Sequence, residues 1–198
     1  METERVRTFV AVDLETAAHA ALVRLKAELA RAGGDVRWVR DDGLHATMKF
    51  LGSVAAARLG DVRSAVARAV SSLARFTMRV RGLGAFPSIE RPRVLWVGID
   101  APPLIDLARA VDGALVALGF PPEARPFHPH ITLGRVRGHR GWNVLARAIE
   151  RHWNDDFGVS SVDRVTVYRS ELRRGGSIYS PLWTTSLSDS TKGADYGA

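Results

Sequence analysis

The sequence predicts an α+β fold in which two similar lobes face each other across a cleft, and three observations favour this fold. Segments of strand type alternate along the chain with segments of helical period. The tripeptide His, any residue, Thr occurs at residues 45–47 and again at residues 130–132, each time at the start of a strand-like segment in a different half of the chain. A chain of 198 residues, 46% of them hydrophobic, is also long enough to bury a sizeable core.

The first half of the chain is predicted to hold two helices between short strands. Strands are predicted at residues 6–13, 36–39 and 44–51. The first helix is expected to begin at Thr16, a good N-cap residue, and to end at Gly33 and Gly34. Ser53 is expected to cap the second helix. The apolar residues at helical spacing are Leu22, Leu25 and Leu29 in the first helix and Leu59, Val62, Val66, Val70 and Leu73 in the second.

The second half repeats this alternation. Strands are predicted at residues 76–83, 94–99, 130–136, 162–170 and 178–187, the last two joined by a turn at residues 173–177. A third helix, with Leu104, Leu107, Val111, Leu115 and Leu118 on one face, ends at Gly119, and a short fourth helix carries Leu145, Ile149 and Trp153. We expect residues 1–187 to form a single bilobal domain and residues 188–198 to form a disordered tail.

Composition bounds the function without naming it. There is no cysteine, which excludes disulfides and thiolate chemistry and fits a reducing compartment. The charged N-terminus does not look like a signal peptide, and no apolar run is long enough to span a membrane, so a soluble cytoplasmic protein is expected. The formal net charge is +7, and only three of the 28 Lys and Arg residues are lysines. Arginine suits phosphate, although a GC-rich genome would also enrich it.

The two His-any-Thr tripeptides are the candidate site. Side chains at positions i and i+2 of a strand project from the same face. Strict alternation therefore separates a polar from an apolar face in the first strand, made respectively of His45, Thr47 and Lys49 and of Ala46, Met48 and Phe50. In the second strand it separates His130 and Thr132 from Ile131 and Leu133. Two imidazoles and two hydroxyls are thus expected to converge on one cleft.

A pair of histidines suits acid and base catalysis on a phosphate ester. Opening a cyclic phosphodiester with water requires a base that activates the water and an acid that protonates the departing oxygen, and imidazole can do either at neutral pH. Threonine hydroxyls would stabilise charge on the non-bridging oxygens. Either histidine alone would more often be a hydrogen-bonded structural residue, but the pair in matching settings favours function.

Longer segments around the tripeptides resemble the 2H phosphoesterase superfamily, and most closely its RNA 2′,3′-cyclic phosphodiesterase branch, also called 2′-5′ RNA ligase-like proteins. The resemblance covers about residues 5–187. Besides the tripeptides, it is carried by RTFVAVD at residues 7–13, LHATMKFLG at 44–52, RVLWVG at 93–98, FHPHITLGR at 127–135, and SEL at 170–172 ahead of Tyr179.

The resemblance implies a bilobal fold of two antiparallel sheets that face a central cleft, with helices on the outside. It implies hydrolysis of a terminal 2′,3′-cyclic phosphate to a 2′-phosphate without metal or other cofactor. It further implies that His45 is the acid on the ribose 3′-oxygen, that His130 is the base on water, and that Thr47 and Thr132 bind phosphate.

The resemblance also implies a role for Arg135, and Phe9 is a further candidate, but the strand positions of both residues argue against these roles. Arg135 is implied as another phosphate ligand, but strict alternation turns it away from the face of His130, so this role requires a twist or a bulge. Phe9 could stack on a nucleobase, although an aromatic residue in an N-terminal strand more often belongs to the core.

Several alternatives remain open from sequence alone. The same residues could form 2′-5′ linkages as an RNA ligase, or the chain could bind RNA without turnover. The spacing of His128 and His130 could ligate a metal, but no Asp or Glu stands nearby, and no metal is expected. The expected partner is RNA with a 2′,3′-cyclic phosphate end, or a cyclic nucleotide, with neither a membrane nor an obligate protein partner implied.

Overall fold

The structure, a computed structural model, describes residues 4–174 and 176–189. The strands are β1 (Arg5–Asp13), β2 (Val36–Trp38), β3 (His45–Ala55), β4 (Phe76–Phe86), β5 (Val94–Asp100), β6 (His130–Val136), β7 (Asp156–Val162), β8 (Arg164–Arg173) and β9 (Gly176–Ser186). The α-helices are α1 (Thr16–Ala32), α2 (Leu59–Val70), α3 (Pro102–Val116) and α4 (Trp142–Arg151), and short 3-10 turns cover Asp41–Gly43 and Ala56–Arg58. Together these elements confirm the predicted α+β class.

The sheet consists of two four-stranded halves. Its strand order is β7-β4-β5-β6-β3-β1-β8-β9, with β2 added alongside β6, and every pairing between these strands is antiparallel. We call β3, β1, β8 and β9 lobe A, and β6, β5, β4 and β7 with β2 lobe B. A single residue pair, Ala46 opposite Ile131, joins β3 to β6 and hence one lobe to the other. The two sheets implied by the resemblance are therefore continuous through one narrow seam.

Two helices, α1 and α3, connect the lobes because each follows a strand of one lobe and packs against the other lobe. Helix α1 follows β1 of lobe A but packs against β7 and β2 of lobe B, beside α4. Helix α3 follows β5 of lobe B but packs against β3 of lobe A, beside α2. The leucines at helical spacing in α1 and α3 are buried, as predicted, so the apolar layer of each lobe lies between its sheet and a helix supplied by the other.

The ends of α1 agree with the sequence prediction to within one residue, with Glu15 instead of Thr16 as the N-cap, whereas ends of the other helices differ from it. Helix α1 begins at Thr16 and gives way to Gly33, whose positive φ of 103° a side chain would disfavour. The prediction that Ser53 caps α2 is wrong: Ser53 lies inside β3, opposite Arg7, because the strand runs on to Ala55. Helix α3 also ends before Gly119, and Trp153 lies beyond α4, half exposed.

Strand β7 was not predicted from the sequence. Its residues include Gly158 and two serines, which favour turns over strands, but it forms the edge of lobe B by pairing with β4. Its Ser160 is completely buried and its hydroxyl accepts a hydrogen bond from the backbone nitrogen of Glu15, at the start of α1 (2.8 Å). The edge strand thus helps to anchor the helix that crosses from lobe A.

Two residues that the sequence analysis assigned to the tail, Ser188 and Asp189, lie among the described residues. Ser188 is paired in parallel with Ala74, and the backbone nitrogen of Arg75 donates to the backbone oxygen of Ser188 (3.1 Å). Asp189 forms an ion pair with Arg75. These two positions are therefore ordered parts of the fold, while residues 190–198 lie outside the described residues. No helix among the described residues combines the length and apolarity needed to cross a membrane.

Candidate active site

The two His-any-Thr tripeptides meet at the seam between the lobes. Ala46 and Ile131, the middle residues of the tripeptides, are the pair that joins β3 to β6, and both are fully buried beneath the sheet. Because the pair is antiparallel, it places His45 alongside Thr132 and Thr47 alongside His130. The opposite face of the seam therefore presents two imidazoles and two hydroxyls in an approximately two-fold arrangement.

A β-bulge follows the first tripeptide and reverses the strand alternation. Ala11 of β1 lies opposite Thr47, but the next residue, Val10, lies opposite Lys49, so Met48 is the extra residue. The prediction that Lys49 shares the face of His45, with Phe50 on the apolar side, is therefore wrong. Lys49 turns behind the sheet, and the ring of Phe50 projects into the cleft, where it is 54% exposed.

The buried Lys49 binds the loop between α3 and β6, which leads to the second tripeptide. Its ammonium group forms an ion pair with Asp112 of α3 and donates to the backbone oxygen of Pro121 (2.7 Å). The backbone nitrogen of Glu123 donates to the same Asp112 carboxylate (3.3 Å). A charge this deeply buried needs such partners, so the bulge in β3 and the loop before His130 are held together.

A matching bulge follows the second tripeptide. Trp96 of β5 lies opposite Thr132, but Leu95 lies opposite Gly134, so Leu133 is the extra residue. The structure thus contains the bulge that a phosphate-binding role of Arg135 requires. The guanidinium of Arg135 is exposed, and it lies close enough to His130 to help lower the pKa of that imidazole.

His45 lies in an aromatic cluster of lobe A. Its ring stacks on Phe9 (centroids 4.9 Å apart, planes at 24°), and the edge of Tyr179 meets it at 5.2 Å. Burial is the largest cause of its lowered pKa, about 4, while the charge of Asp13 acts in the opposite direction. In the free protein, His45 is therefore a neutral imidazole at pH 7.

Phe9 occupies the floor of this cluster. It is 1% exposed, with one stacking contact to His45 and another to Tyr168 (centroids 5.2 Å apart). The ring is buried, so it is not open to a nucleobase. The suggested stacking role of Phe9 is accordingly not supported, and the alternative, a packed core residue beneath His45, is what the structure shows.

Asp13 is the carboxylate beside His45. It ends β1 directly opposite His45 in the β1–β3 pairing. The hydroxyl of Thr166 donates to Oδ2 of Asp13 (2.7 Å), and the hydroxyl of Tyr168 donates to Oδ1 (2.6 Å). Burial and this hydrogen bond raise the pKa of Tyr168, which keeps the phenol protonated as a donor. The Asp13 carboxylate is thus fixed in place next to the imidazole.

His130 has the opposite electrostatic setting. Gly98, not a carboxylate, lies opposite His130 in the β5–β6 pairing. Nδ1 of His130 lies 2.7 Å from the backbone oxygen of His128, which can only accept, so Nδ1 must carry the proton. Burial first, then the neighbouring His128 and Arg135, lower the pKa of His130 against the effect of that hydrogen bond. Its Nε2 is therefore left as a hydrogen-bond acceptor, as a general base requires.

Aromatic rings also surround His130. Phe86 presents its face to the edge of His130 (centroids 5.1 Å apart) and contacts Trp96 at 5.0 Å. Trp96 lies flat over Gly84, where a Cβ would meet its ring atoms at 2.4 Å, so glycine is required there. His128 packs against Phe86 and Trp96. Within residues 4–174 and 176–189, no three His, Cys, Asp or Glu side chains cluster as a metal site would require.

Three residues of this site were missed by reasoning from sequence. Asp13 and Tyr168 were not singled out, and Phe50 was assigned to the wrong face. For Asp13 a signal existed, because a carboxylate at the end of a strand next to the first tripeptide invites a search for its partner. The bulge that exposes Phe50 has no such signal, since strict alternation is the default expectation for a strand.

Comparison with known proteins identifies the family. The model of the LigT-like phosphoesterase family matches twice, at residues 12–96 and 97–179. An RNA 2′,3′-cyclic phosphodiesterase of Methanothermobacter thermautotrophicus is 36% identical over 90% of this chain and 97% of its own length. Among solved structures, TT0787 of Thermus thermophilus has a TM-score of 0.77 at 30% identity, covering 91% of this chain and 97% of that one.

Escherichia coli LigT complexed with 3′-AMP has a TM-score of 0.74 at 28% identity, covering 93% of this chain and 99% of that one. Each of the two matches of the family model contains one His-any-Thr strand, β3 in the first and β6 in the second. The chain is a phosphoesterase that belongs to the LigT-like family of the 2H superfamily.

Proposed function

We propose that this protein is an RNA 2′,3′-cyclic phosphodiesterase that hydrolyses a terminal 2′,3′-cyclic phosphate to a 2′-phosphate. The observation that carries the proposal is the asymmetry of the two histidines at the seam: His45 has the carboxylate of Asp13 opposite it, and His130 has the guanidinium of Arg135 nearby. A carboxylate favours a protonated imidazole and a guanidinium favours a neutral one. The charges thus support His45 as the acid and His130 as the base.

The reaction uses both groups in one displacement. Nε2 of His130 accepts a proton from water while the water oxygen bonds to phosphorus. The bond between phosphorus and the ribose 3′-oxygen breaks, and His45 protonates that oxygen. The 2′-oxygen keeps the phosphate, so the product is a 2′-phosphate, and proton exchange with solvent restores both histidines. Each imidazole is expected to contribute roughly 10² to 10⁴ in rate.

Substrate binding favours protonation of the acid, His45, by solvent. The pKa of His45 is about 4 in the free protein because the ring is buried. A phosphodiester carries one negative charge, and together with Asp13 it opposes the cost of burying an imidazolium. His45 is therefore protonated mainly in the complex, where the proton is used.

The hydroxyls and one guanidinium bind the phosphate. Thr47 and Thr132 are both partly exposed on the cleft face, beside the imidazole of the opposite tripeptide. Their hydroxyls can donate to the two non-bridging oxygens as negative charge grows on them. Arg135, three residues after Thr132, is positioned by the bulge at Leu133 to add a charged contact.

The test is turnover of a short RNA that ends in a 2′,3′-cyclic phosphate, in EDTA, with the phosphate isomer of the product identified. Wild type should yield the 2′-phosphate, and His45→Ala and His130→Ala should each lose at least roughly 10² in kcat. A 5′-hydroxyl oligonucleotide in the same mixture would reveal ligation. Because the chain lacks cysteine, we also propose a cytoplasmic location, which fractionation of cells can test.

A matched control separates catalysis from general damage. His19→Gln replaces a histidine of α1 that belongs to neither tripeptide and whose Nε2 lies 2.8 Å from the backbone oxygen of Asp41. It should keep wild-type turnover. Turnover that survives either substitution at the seam, or a 3′-phosphate product, would contradict the proposal.

A further inference from the structure

We propose that the RNA leading up to the cyclic end lies along β1 of lobe A, on a track formed by Phe50, Arg7 and Arg5. This inference rests on the proposed function. It concerns residues far from the phosphate, and it predicts that the natural substrate is an oligonucleotide and not a single cyclic nucleotide.

The direction of the RNA follows from the acid assignment. His45 protonates the ribose 3′-oxygen, so the ribose of the terminal nucleotide lies on the lobe A side of the phosphate. Water attacks from the opposite side, next to His130. The rest of the RNA, which is joined to that ribose through its 5′-oxygen, must therefore leave the cleft over or past lobe A.

Lobe A offers one exposed aromatic ring on this path. Phe50 lies directly opposite Phe9 across the β1–β3 pairing, and their ring centroids are 5.6 Å apart. Phe9 in turn stacks on His45, so all three rings lie on the cleft face. Phe9 is covered, whereas Phe50 is 54% exposed. An exposed ring beside the catalytic histidine is suited to stack on a nucleobase.

Two arginines continue the same face of the strand. The bulges of this pairing add residues to β3 and leave β1 regular, so Arg7 and Arg5 share the face of Phe9. Both arginines are exposed, whereas the residue between them, Val6, is buried. One guanidinium nitrogen of Arg5 donates to the backbone oxygen of Ser53 (2.5 Å), which directs the side chain along the edge of the track.

Some surface arginines are paired with carboxylates, and these two, among the described residues, are not. Arg79 is paired with Asp156 and Arg164 with Asp163, which neutralises their charge locally. Within the part of the chain that the structure describes, neither Arg5 nor Arg7 forms an ion pair. Unpaired guanidinium groups beside a stacking ring are suited to a nucleic acid backbone.

The length of the track excludes a mononucleotide as the ligand of these arginines. Arg7 lies six residues, and Arg5 eight residues, along β1 from Asp13, which is opposite His45. At about 3.3 Å per residue these separations are about 20 and 26 Å. A nucleotide whose phosphate lies between the histidines cannot span that distance, so only a longer chain can contact both groups.

The experiment compares a 2′,3′-cyclic mononucleotide with an RNA hexanucleotide that ends in the same cyclic nucleotide. Wild type should show a lower KM for the hexanucleotide, and its advantage should shrink as salt rises. Arg7→Gln and Arg5→Gln should each reduce kcat/KM for the hexanucleotide relative to kcat/KM for the mononucleotide. Each should also lower the slope of log affinity for the hexanucleotide against log salt concentration by about 0.7. Arg63→Gln, which removes an exposed arginine from α2 behind the sheet, is the matched control.

Phe50→Ala should weaken binding of the hexanucleotide roughly 5- to 100-fold, and Phe50→Leu, which keeps the apolar contact with Phe9, should also lose the stacking. If the ring stacks on an upstream base, a hexanucleotide that keeps only its terminal base and has abasic sites elsewhere should lack this contact. Its affinity should then change much less in both Phe50 variants. Because Phe50 is exposed, neither variant should unfold the protein.

Binding of a hexanucleotide with a terminal 3′-phosphate, measured by fluorescence anisotropy, makes the inference independent of turnover. If no cyclic phosphate is hydrolysed, the proposed function fails, but weaker binding in Arg7→Gln than in Arg63→Gln still supports the track. Equal KM values for the mononucleotide and hexanucleotide in wild type, or equal effects of Arg7→Gln and Arg63→Gln, would overturn it. The inference would also be overturned if polyglutamate displaced the RNA at the same concentration as the hexanucleotide, because binding would then depend on negative charge alone.

Discussion

The two histidine strands share one backbone design but differ in the charges placed beside them. In β3 and in β6 the tripeptide is followed by a bulge at the next residue, Met48 or Leu133. The strand opposite His45 offers Asp13, whereas the strand opposite His130 offers Gly98. Repeated geometry thus brings the two imidazoles together, and we propose that the charged residues near them make one an acid and the other a base.

The residues after each bulge differ in the same sense. The third position after the threonine is Phe50 in lobe A and Arg135 in lobe B, and the second is Lys49 or Gly134. Lobe A thus presents a ring beside His45, the proposed acid, and lobe B presents a charge near His130, the proposed base. The buried lysine belongs to lobe A alone and reaches across to the loop that delivers His130.

The largest effect expected from this comparison is on stability. The pKa of His45 is about 4 in the folded protein and about 6.5 in the unfolded chain, so the unfolded chain binds more protons between these values. Stability is therefore complete above about pH 6.5 and falls by about 3 kcal/mol as the pH drops to about 4. Chemical denaturation of wild type and His45→Asn across this range measures the difference.

The other histidine provides the comparison. His130 also has a lowered pKa, but it is less buried, so His130→Asn should remove a smaller part of the pH dependence than His45→Asn. His152 should behave in the opposite way. Burial acts to lower its pKa, but hydrogen bonds to Asp155 and Glu28 outweigh burial and raise the pKa, so its contribution is complete at low pH and is lost as pH rises through that pKa. The same pH dependence of stability in wild type and His45→Asn would show that folding does not lower the pKa of His45.

The second expected effect concerns the carboxylate that distinguishes the two lobes. Asp13→Asn removes the charge opposite His45, so the imidazolium is harder to form and activity at pH 7 should fall by about 2 kcal/mol, or roughly 30-fold. The descending limb of the pH profile of kcat, which reports loss of the acid, should move to lower pH. Steady-state kinetics from about pH 5 to 9 measures both.

Thr166→Val is the matched control, because it removes one hydrogen bond to Asp13 but keeps the charge. Thr166→Val should shift the descending limb of the pH profile less than Asp13→Asn does. The reverse experiment would place a carboxylate beside His130 by substituting Gly98. The fold does not allow it, because a Cβ at Gly98 would lie 2.8 Å from the backbone oxygen of Arg81. An unchanged pH profile in Asp13→Asn would remove the electrostatic basis for the acid assignment.

The sequence was informative wherever local periodicity controls the structure. It predicted the class, the strand that begins at His130, the buried leucines of α1 and α3, and the convergence of the two tripeptides, although not the strand pairing that joins them. These features depend on apolar spacing and on a repeated motif, both of which can be counted in a sequence. The edge strand β7 has neither feature, because its stability comes from pairing with β4 and from contacts with α1.

The errors at the site have one physical origin. A single extra residue in β3 exchanged the faces of Lys49 and Phe50, and the equivalent residue in β6 allowed Arg135 to lie near His130. Bulges are fixed by pairing with the neighbouring strand, and that pairing is a tertiary property. Asp13 could have been considered as a carboxylate at the end of a predicted strand, but only the pairing of β1 with β3 shows that it lies opposite His45.

The smallest effect expected is on the lobe B charge. Arg135→Gln removes a guanidinium that lowers the pKa of His130 and that is proposed to contact the phosphate, so the ascending limb of the pH profile should move to higher pH. The lost charged contact should reduce kcat/KM by about 1.5 kcal/mol, roughly tenfold. Arg137→Gln, an exposed arginine just beyond the same strand, is the control and should leave the limb in place. If the two variants behave alike, the bulge at Leu133 has no electrostatic role, and the distinction between the lobes would depend on Asp13 alone.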